Sequence, residues 1–224
     1  MKIKAIITGS TGMVGEGVLH QSLLNENVES VLVINRKPCG VSHPKLKEII
    51  HKDLSNLSPI EEQLAGYNAC YFCAGVSSVG KKEEEYSKIT YDLTLNFANT
   101  ILKLNPKSLF IYVSGVGTDS TEKGKTMWAR VKGKTENDLL KLPFQDAYMY
   151  RPGYIHPIAG LKNAYKVYKY FSPFYPILEK LFPNYVGTLE ELGNSMINVT
   201  LNGYKNKVLL CKDIRESGRE LIKK

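Results

Sequence analysis

The sequence predicts an α/β fold, a doubly wound and mostly parallel sheet with helices on both faces. Three observations predict it. Short apolar runs recur along the chain without polar alternation, as strands covered on both faces require. Stretches of helical periodicity separate those runs and turn them into βαβ units. Glycines 9, 12 and 15 stand where the first run meets the first helix.

Ile3 to Thr8 reads as the first strand, and about Gly12 to Leu24 as a helix with Val14, Val18 and Leu19 on its inner face. Val31 to Ile34 is a second buried strand, Leu46 to His51 a weaker third and Asn68 to Ala74 the fourth. A long helix from about Lys82 to Leu104 leads into the fifth strand, Leu109 to Val113. Another helix, about Lys125 to Leu142, precedes a sixth strand near Ala147 to Arg151, which Pro152-Gly153 breaks. A helix from about Thr188 to Asn202, capped by Gly203, and a last strand near Val208 to Cys211 close the chain. Right-handed crossovers put the strand C-termini on one edge, where a site belongs. The expectation is one domain over residues 1–224, with 152–187 as a small substrate-side lobe.

The bulk numbers fit an ordinary globular chain of 224 residues, 43% hydrophobic and 23% charged. A net charge of +8 favours an anionic ligand. The lysines are spread along the chain without an arginine-rich block, so nucleic acid is not favoured as a partner. No targeting segment is visible and nothing approaches a transmembrane span, so a cytoplasmic location is expected. Cys70 and Cys73 have metal-ligand or redox spacing, but residues three apart in a strand point to opposite faces. His20, His43, His51 and His156 show no metal-ligand spacing, and no metal site is expected.

Gly9-x-x-Gly12-x-x-Gly15 follows a strand and opens a helix, a context that gives the glycines a physical purpose. A tight turn needs a residue without Cβ, a pyrophosphate needs close backbone approach, and the helix N-terminus offers free N–H groups. Gly9, Ser10, Thr11, Gly12, Met13, Val14 and Gly15 are therefore read as the phosphate cradle of a Rossmann-type domain. About twenty residues further on stands Asn35-Arg36-Lys37, without the acid that would bind a ribose 2′-hydroxyl. Arg36 favours NADP(H) over NAD(H).

The glycine turn, Asn35-Arg36, Lys52-Asp53-Leu54 and Ala74-Gly75 together resemble the short-chain dehydrogenase/reductase superfamily. Within it the chain is most similar to the atypical NAD(P)-binding group related to nucleoside-diphosphate-sugar epimerases and Tat-interacting-protein-like oxidoreductases. The resemblance implies that Asp53 and Leu54 lie against the adenine and that Ala74 and Gly75 line the cofactor beside the ribose. It further implies a serine after the fifth strand and a Tyr-x-x-x-Lys on the next helix. Ser114 and Lys132 match, and Lys132-Gly133-x-x-Glu136 continues the family pattern. The tyrosine position holds Trp128, whose indole N–H cannot shuttle a proton near neutral pH. Tyr154 is one substitute donor, Tyr86 and Tyr91 are weaker ones, and water relayed through Ser114 and Lys132 is another. Trp128 could instead lie near the nicotinamide as a lid, or be a core aromatic.

Tyr165, Tyr168, Tyr170, Phe171, Phe174 and Tyr175 crowd the 163–182 segment, which Pro173 and Pro176 interrupt. They suit a core or homodimer face, a protein-partner face or a substrate lid. The chain after Gly153 is short for gripping a nucleotide sugar. The expected function is an NADP(H)-dependent oxidoreductase of a small carbonyl or related substrate. The alternative is a catalytically weak or inactive NADP(H)-sensing scaffold that binds a protein partner.

Overall fold

β1 (Ile3–Thr8) pairs in parallel with β2 (Val28–Asn35) on one side and β4 (Ala69–Phe72) on the other. From this centre β3 (Leu46–Ile50) extends one wing, and β5 (Leu109–Val113), β6 (Asp146–Arg151) and β9 (Val208–Leu210) extend the other. The seven-stranded order is β3-β2-β1-β4-β5-β6-β9, parallel throughout. The strand order reverses between β1 and β4, so a crevice opens at their C-terminal ends. These elements come from a computed structural model that describes residues 2–163 and 175–222.

Strand parity sorts the core into two layers. Ala5, Ile7, Val31, Val33 and Tyr71 pack with α1 (Met13–Leu24), α6 (Leu189–Asn202) and α7 (Cys211–Ile222). Ile6, Leu32, Cys70 and Phe72 pack on the opposite face with α3 (Leu93–Leu104), α4 (Met127–Leu139) and a 3-10 turn at Ser58–Leu64. Cys70 thus joins one layer while Cys73 packs against the other, as their spacing in a strand requires. Burial pushes both thiols well above the ordinary range, Cys73 to about 12. The first layer is tight: a Cβ built on Gly17 would lie 2.1 Å from Leu189 Cγ, so α1 and α6 touch nearly backbone to side chain.

Three features depart from the sequence expectation, and a fourth expectation falls outside the described residues. The helix before β5 is α2 (Glu83–Ser87), a π turn (Lys88–Asp92) and α3 rather than one continuous α-helix. The chain does not close on its last strand, because α7 follows and buries Ile214, Ser217 and Gly218. Its sparse apolar residues among many charges hid the stripe. A second, two-stranded parallel sheet pairs β7 (Tyr154–His156) with β8 (Val186–Thr188), near the two ends of the 152–187 segment. Finally, Tyr165, Tyr168, Tyr170, Phe171 and Phe174 lie outside the described residues, so their stripe is not placed; Tyr175 opens α5 (Tyr175–Leu181) with its ring 4.2 Å from that of His156. An ionic cluster ties α5 to α7: Arg215 and Arg219 donate to Glu179 at 2.6 and 2.8 Å, and Arg219 donates to Glu191 at 2.5 Å.

Candidate cofactor and active site

The glycine turn separates into structural and open positions. Gly9 has φ +72°, and a Cβ there would lie 2.7 Å from Ala74 N. A Cβ on Gly15 would lie 2.2 Å from Gly9 O, so these two glycines let the turn close on itself and on β4. Gly12 differs. It is the exposed N-cap of α1, carries no side-chain cap, and a Cβ there meets only Gly9 O at 3.5 Å. The Gly12 N–H donates to Gly9 O at 3.0 Å, and with no side-chain cap on the N-terminal turn of α1 this helix end fits a phosphate. Thr11 is half-buried beside it. Met13 is in the core and Val14 packs against it, so these two can front a ligand only through their backbone. Ser10 is buried and donates to Asn35 Oδ1 at 2.9 Å.

The ends of β2, β3 and β4 complete this half. Asn35 is buried and donates to Glu48 Oε1 at 2.7 Å, an oxygen that also accepts the Cys39 N–H at 2.9 Å. Arg36 is exposed and makes no ion pair among the described residues. Asp53 is exposed and bent into its own turn, accepting from Ser55 N at 2.9 Å and Ser55 Oγ at 2.5 Å. Those bonds to Ser55 hold its carboxyl below the usual range. Leu54 packs on the second layer. Ala74 N donates to Thr8 Oγ1 at 3.2 Å, and around Gly75 a built Cβ meets nothing within 4 Å. The residues present therefore fit a dinucleotide lying across the β1/β4 crevice.

The other half is built on β5, α4 and β6. Ser114 follows β5 and Lys132 sits on α4, and the Lys132 ammonium donates to the Ser114 carbonyl. Burial pulls the Lys132 ammonium down to about 8, with Glu136 opposing the shift. The Ser114 hydroxyl donates to the Glu136 carboxylate, and its oxygen lies 3.1 Å from the Tyr150 carbonyl oxygen. Arg151 grips the same carboxylate through Nε at 3.1 and 3.0 Å and through its terminal nitrogen. Gly133 lets this arrangement form, since a Cβ there would lie 1.8 Å from Asp119 O in the loop after β5. Trp128 is half-buried one turn before Lys132; a Cβ on Gly117 would lie 3.2 Å from its Cη2, so the indole lies along the Gly115–Gly117 loop. Tyr154 lies on β7, and its backbone N–H donates to Tyr185 O at 2.8 Å. The neighbouring Pro152 carbonyl accepts from Val116 N at 2.9 Å, which joins the two loops. Among the described residues no group of three or more His, Cys, Asp or Glu could hold a metal ion.

A parallel sheet with a glycine cradle at its switch point, and Ser114 beside Lys132 on the same edge, defines a Rossmann-type α/β protein of the NAD(P)-binding class. The chain belongs to the NAD dependent epimerase/dehydratase family, whose model matches residues 5–137. Among curated proteins it is 34% identical over 144 residues to the leucinostatins biosynthesis cluster protein T of Purpureocillium lilacinum, 61% of this chain and 51% of that one. It is 26% identical over 154 residues to the mitochondrial protein FMP52 of Meyerozyma guilliermondii, 67% of this chain and 64% of that one. The match thus spans about half to two thirds of these relatives. Two solved structures share the fold. The Bordetella bronchiseptica enzyme WbmF in complex with NAD+ has TM-score 0.65 and 15% identity, covering 98% of this chain and 78% of that one. A Burkholderia cenocepacia short chain dehydrogenase in complex with NADP has TM-score 0.64 and 16% identity, covering 99% and 93%. The expected cytoplasmic location does not stand: the FMP52 relatives that the chain matches are mitochondrial proteins. Among the described residues no helix is long and apolar enough to cross a membrane.

Sequence reasoning missed the hub of the site. Glu136 is almost fully buried, yet it entered the reading only as part of a motif. A signal was present: Ala129, Lys132, Gly133, Glu136 and Leu139 recur at spacings of three and four, so two charged residues share the inward stripe of α4. Buried charges need partners. Arg151, at the end of the next strand, supplies one.

Proposed function

We propose that the protein is an NADP(H)-dependent oxidoreductase acting on a small carbonyl or related substrate. The observation that carries this reading is the Lys132 ammonium, held on the Ser114 carbonyl at the sheet edge where the Gly12 cradle opens. Arg36 supports the 2′-phosphorylated cofactor, because it is exposed, unpaired among the described residues and not flanked by a carboxylate at the end of β2. A bound nicotinamide supplies the hydride chemistry. Lys132 holds the nicotinamide ribose and provides the positive charge that favours a developing oxyanion.

The proton needs another source than Trp128. Tyr86 is buried, and the Tyr91 hydroxyl is engaged with Asp138 at 2.7 Å. Lys132, lowered to about 8, gives up and regains a proton near neutral pH, and a water between it and the substrate relays it. Ser114 orients the substrate oxygen once its hydroxyl turns from Glu136. Tyr154 remains the direct competitor for the donor role. The test is NADPH oxidation across a panel of small carbonyl compounds with wild type, Ser114→Ala, Lys132→Met and Tyr154→Phe. Turnover that survives Tyr154→Phe and is lost in Lys132→Met supports the assignment. Tight NADPH binding without turnover on any panel member overturns it.

One observation favours a second reading, a cofactor-sensing scaffold. Ile177, Leu181, Phe182 and Tyr185 are all more than half exposed along α5 and the turn after it. A partner captured on that face with the same affinity by cofactor-free and NADPH-saturated protein would refute sensing, since coupling requires a difference.

A further inference from the structure

Glu16, the residue after the last glycine of the cradle, has an unusual assignment. It is 8% exposed, and its two carboxylate oxygens accept the backbone N–H groups of Lys162 and Asn163 at 2.8 and 2.7 Å. A buried carboxylate is retained where such bonds satisfy it. These two bonds fasten a strap from beyond β7 onto the first turn of α1. Ile158 and Leu161 press the same strap against the layer that Val14 and Cys39 join. The strap therefore runs from the cradle toward the loop between β2 and β3.

Lys162 reaches that loop. A Cβ built on Gly40 would have the Lys162 ammonium as its single neighbour within 4 Å, at 3.7 Å. The loop begins with Arg36 and Lys37, both exposed. Glu48, whose carboxylate bonds into this loop, has one oxygen taken by Asn35 and the Cys39 N–H. Among the described residues neither Lys162 nor Arg36 has an ion-pair partner. Arg36 and Lys37 open the loop and Lys162 reaches it at Gly40, so a dianion bound at this loop is attracted by charges from both segments.

We propose that Lys162 is a specificity-determining residue, a second cation that Glu16 positions beside Arg36 to recognise the 2′-phosphate on the cofactor's adenosine ribose. This rests on the NADP(H) reading above. A lysine serves a phosphate as a point charge, while Arg36 can fork onto its oxygens. The two positions come from distant parts of the sequence, so discrimination depends on the strap being docked.

The test measures dissociation constants for NADPH, NADH and adenosine 2′,5′-bisphosphate with wild type, Lys162→Met, Lys162→Arg and Glu16→Gln. Loss of one charge-assisted contact is expected to weaken NADPH and the bisphosphate about tenfold in Lys162→Met, with NADH within twofold of wild type. Lys162→Arg keeps the preference, and Glu16→Gln loses part of it by freeing the strap. A wild-type preference for NADPH that Lys162→Met leaves intact overturns the assignment of Lys162 alone. Equal weakening of NADPH and NADH overturns it too, and puts the lysine on the pyrophosphate. Equal binding of NADPH and NADH by wild type overturns the cofactor reading together with the lysine's part in it.

Discussion

Arg151→Met strands the Glu136 carboxylate in the interior. The Glu136 side chain is 1% exposed and that of Arg151 13%, so water cannot replace the lost partner. Breaking a buried pair by removing one member costs about 3–5 kcal/mol, because the remaining charge is left uncompensated. The Ser114 hydroxyl still donates to Glu136 and Lys132 still attracts it, which places the expectation near the lower end, about 3 kcal/mol. Against a typical total of about 5–15 kcal/mol this is a large fraction. Equilibrium urea unfolding reads it as a lower midpoint at unchanged slope. The double variant Arg151→Met with Glu136→Met removes both charges while keeping much of the volume, and most of the loss should return. An Arg151→Met cost under about 1 kcal/mol, or strictly additive single and double variants, would refute the buried hub.

Other consequences follow from the same geometry. Gly12→Ala should leave the cofactor-free protein nearly as stable as wild type, since its Cβ meets only Gly9 O at 3.5 Å, yet weaken NADPH binding at least about tenfold. Gly15→Ala should destabilise even without cofactor, its Cβ lying 2.2 Å from Gly9 O; melting curves with and without NADPH separate the two. Lys132 titrates near 8 when folded and near 10.5 when unfolded, so the unfolded chain holds the extra proton between those values. Stability then rises with pH across that window by up to about 3 kcal/mol, and Lys132→Met should flatten the rise in urea melts at pH 7.5 and 10. Gly17→Ala should cost about 1–3 kcal/mol by driving α1 from Leu189, with partial recovery when Leu189→Ala is added.

The fold was legible because its signals are local and repeated. Apolar runs such as Val31 to Ile34 and Leu109 to Val113 need both faces covered, and only a parallel sheet between helices provides that. The glycine turn was legible for a related reason, because each glycine answers a separate steric demand. What escaped was long-range polar pairing. Glu16 meets Lys162 and Asn163 across 146 and 147 residues, and Glu136 meets Arg151 across a helix end and a strand. Charged side chains read as solvated surface until a partner is known. The β7/β8 sheet escaped because its strands are three residues each, too short for periodicity to register.

The substitution of tryptophan for tyrosine at residue 128 can be tested without rebuilding the site. Lys132 is held by the Ser114 carbonyl, Gly133 by its approach to Asp119 O, and Glu136 by Arg151. None of these contacts involves Trp128, whose observed neighbour is Gly117. Trp128→Tyr therefore leaves the position of Lys132 unchanged and removes only ring area from the Gly117 loop, at about 1 kcal/mol for a half-exposed aromatic. The new hydroxyl sits four residues before Lys132, on the same helix face, and the nearby ammonium lowers its pKa. If Lys132 supplies the proton through water in the wild type, a tyrosine that donates directly should raise kcat by at least about tenfold with little change in KM for NADPH. The gain should also shift the high-pH limb of the kcat profile away from the Lys132 titration near 8. Single-turnover NADPH oxidation across pH 6 to 10 measures both. An unchanged kcat with an unchanged profile would mean that residue 128 lies off the proton path and would refute the expected gain.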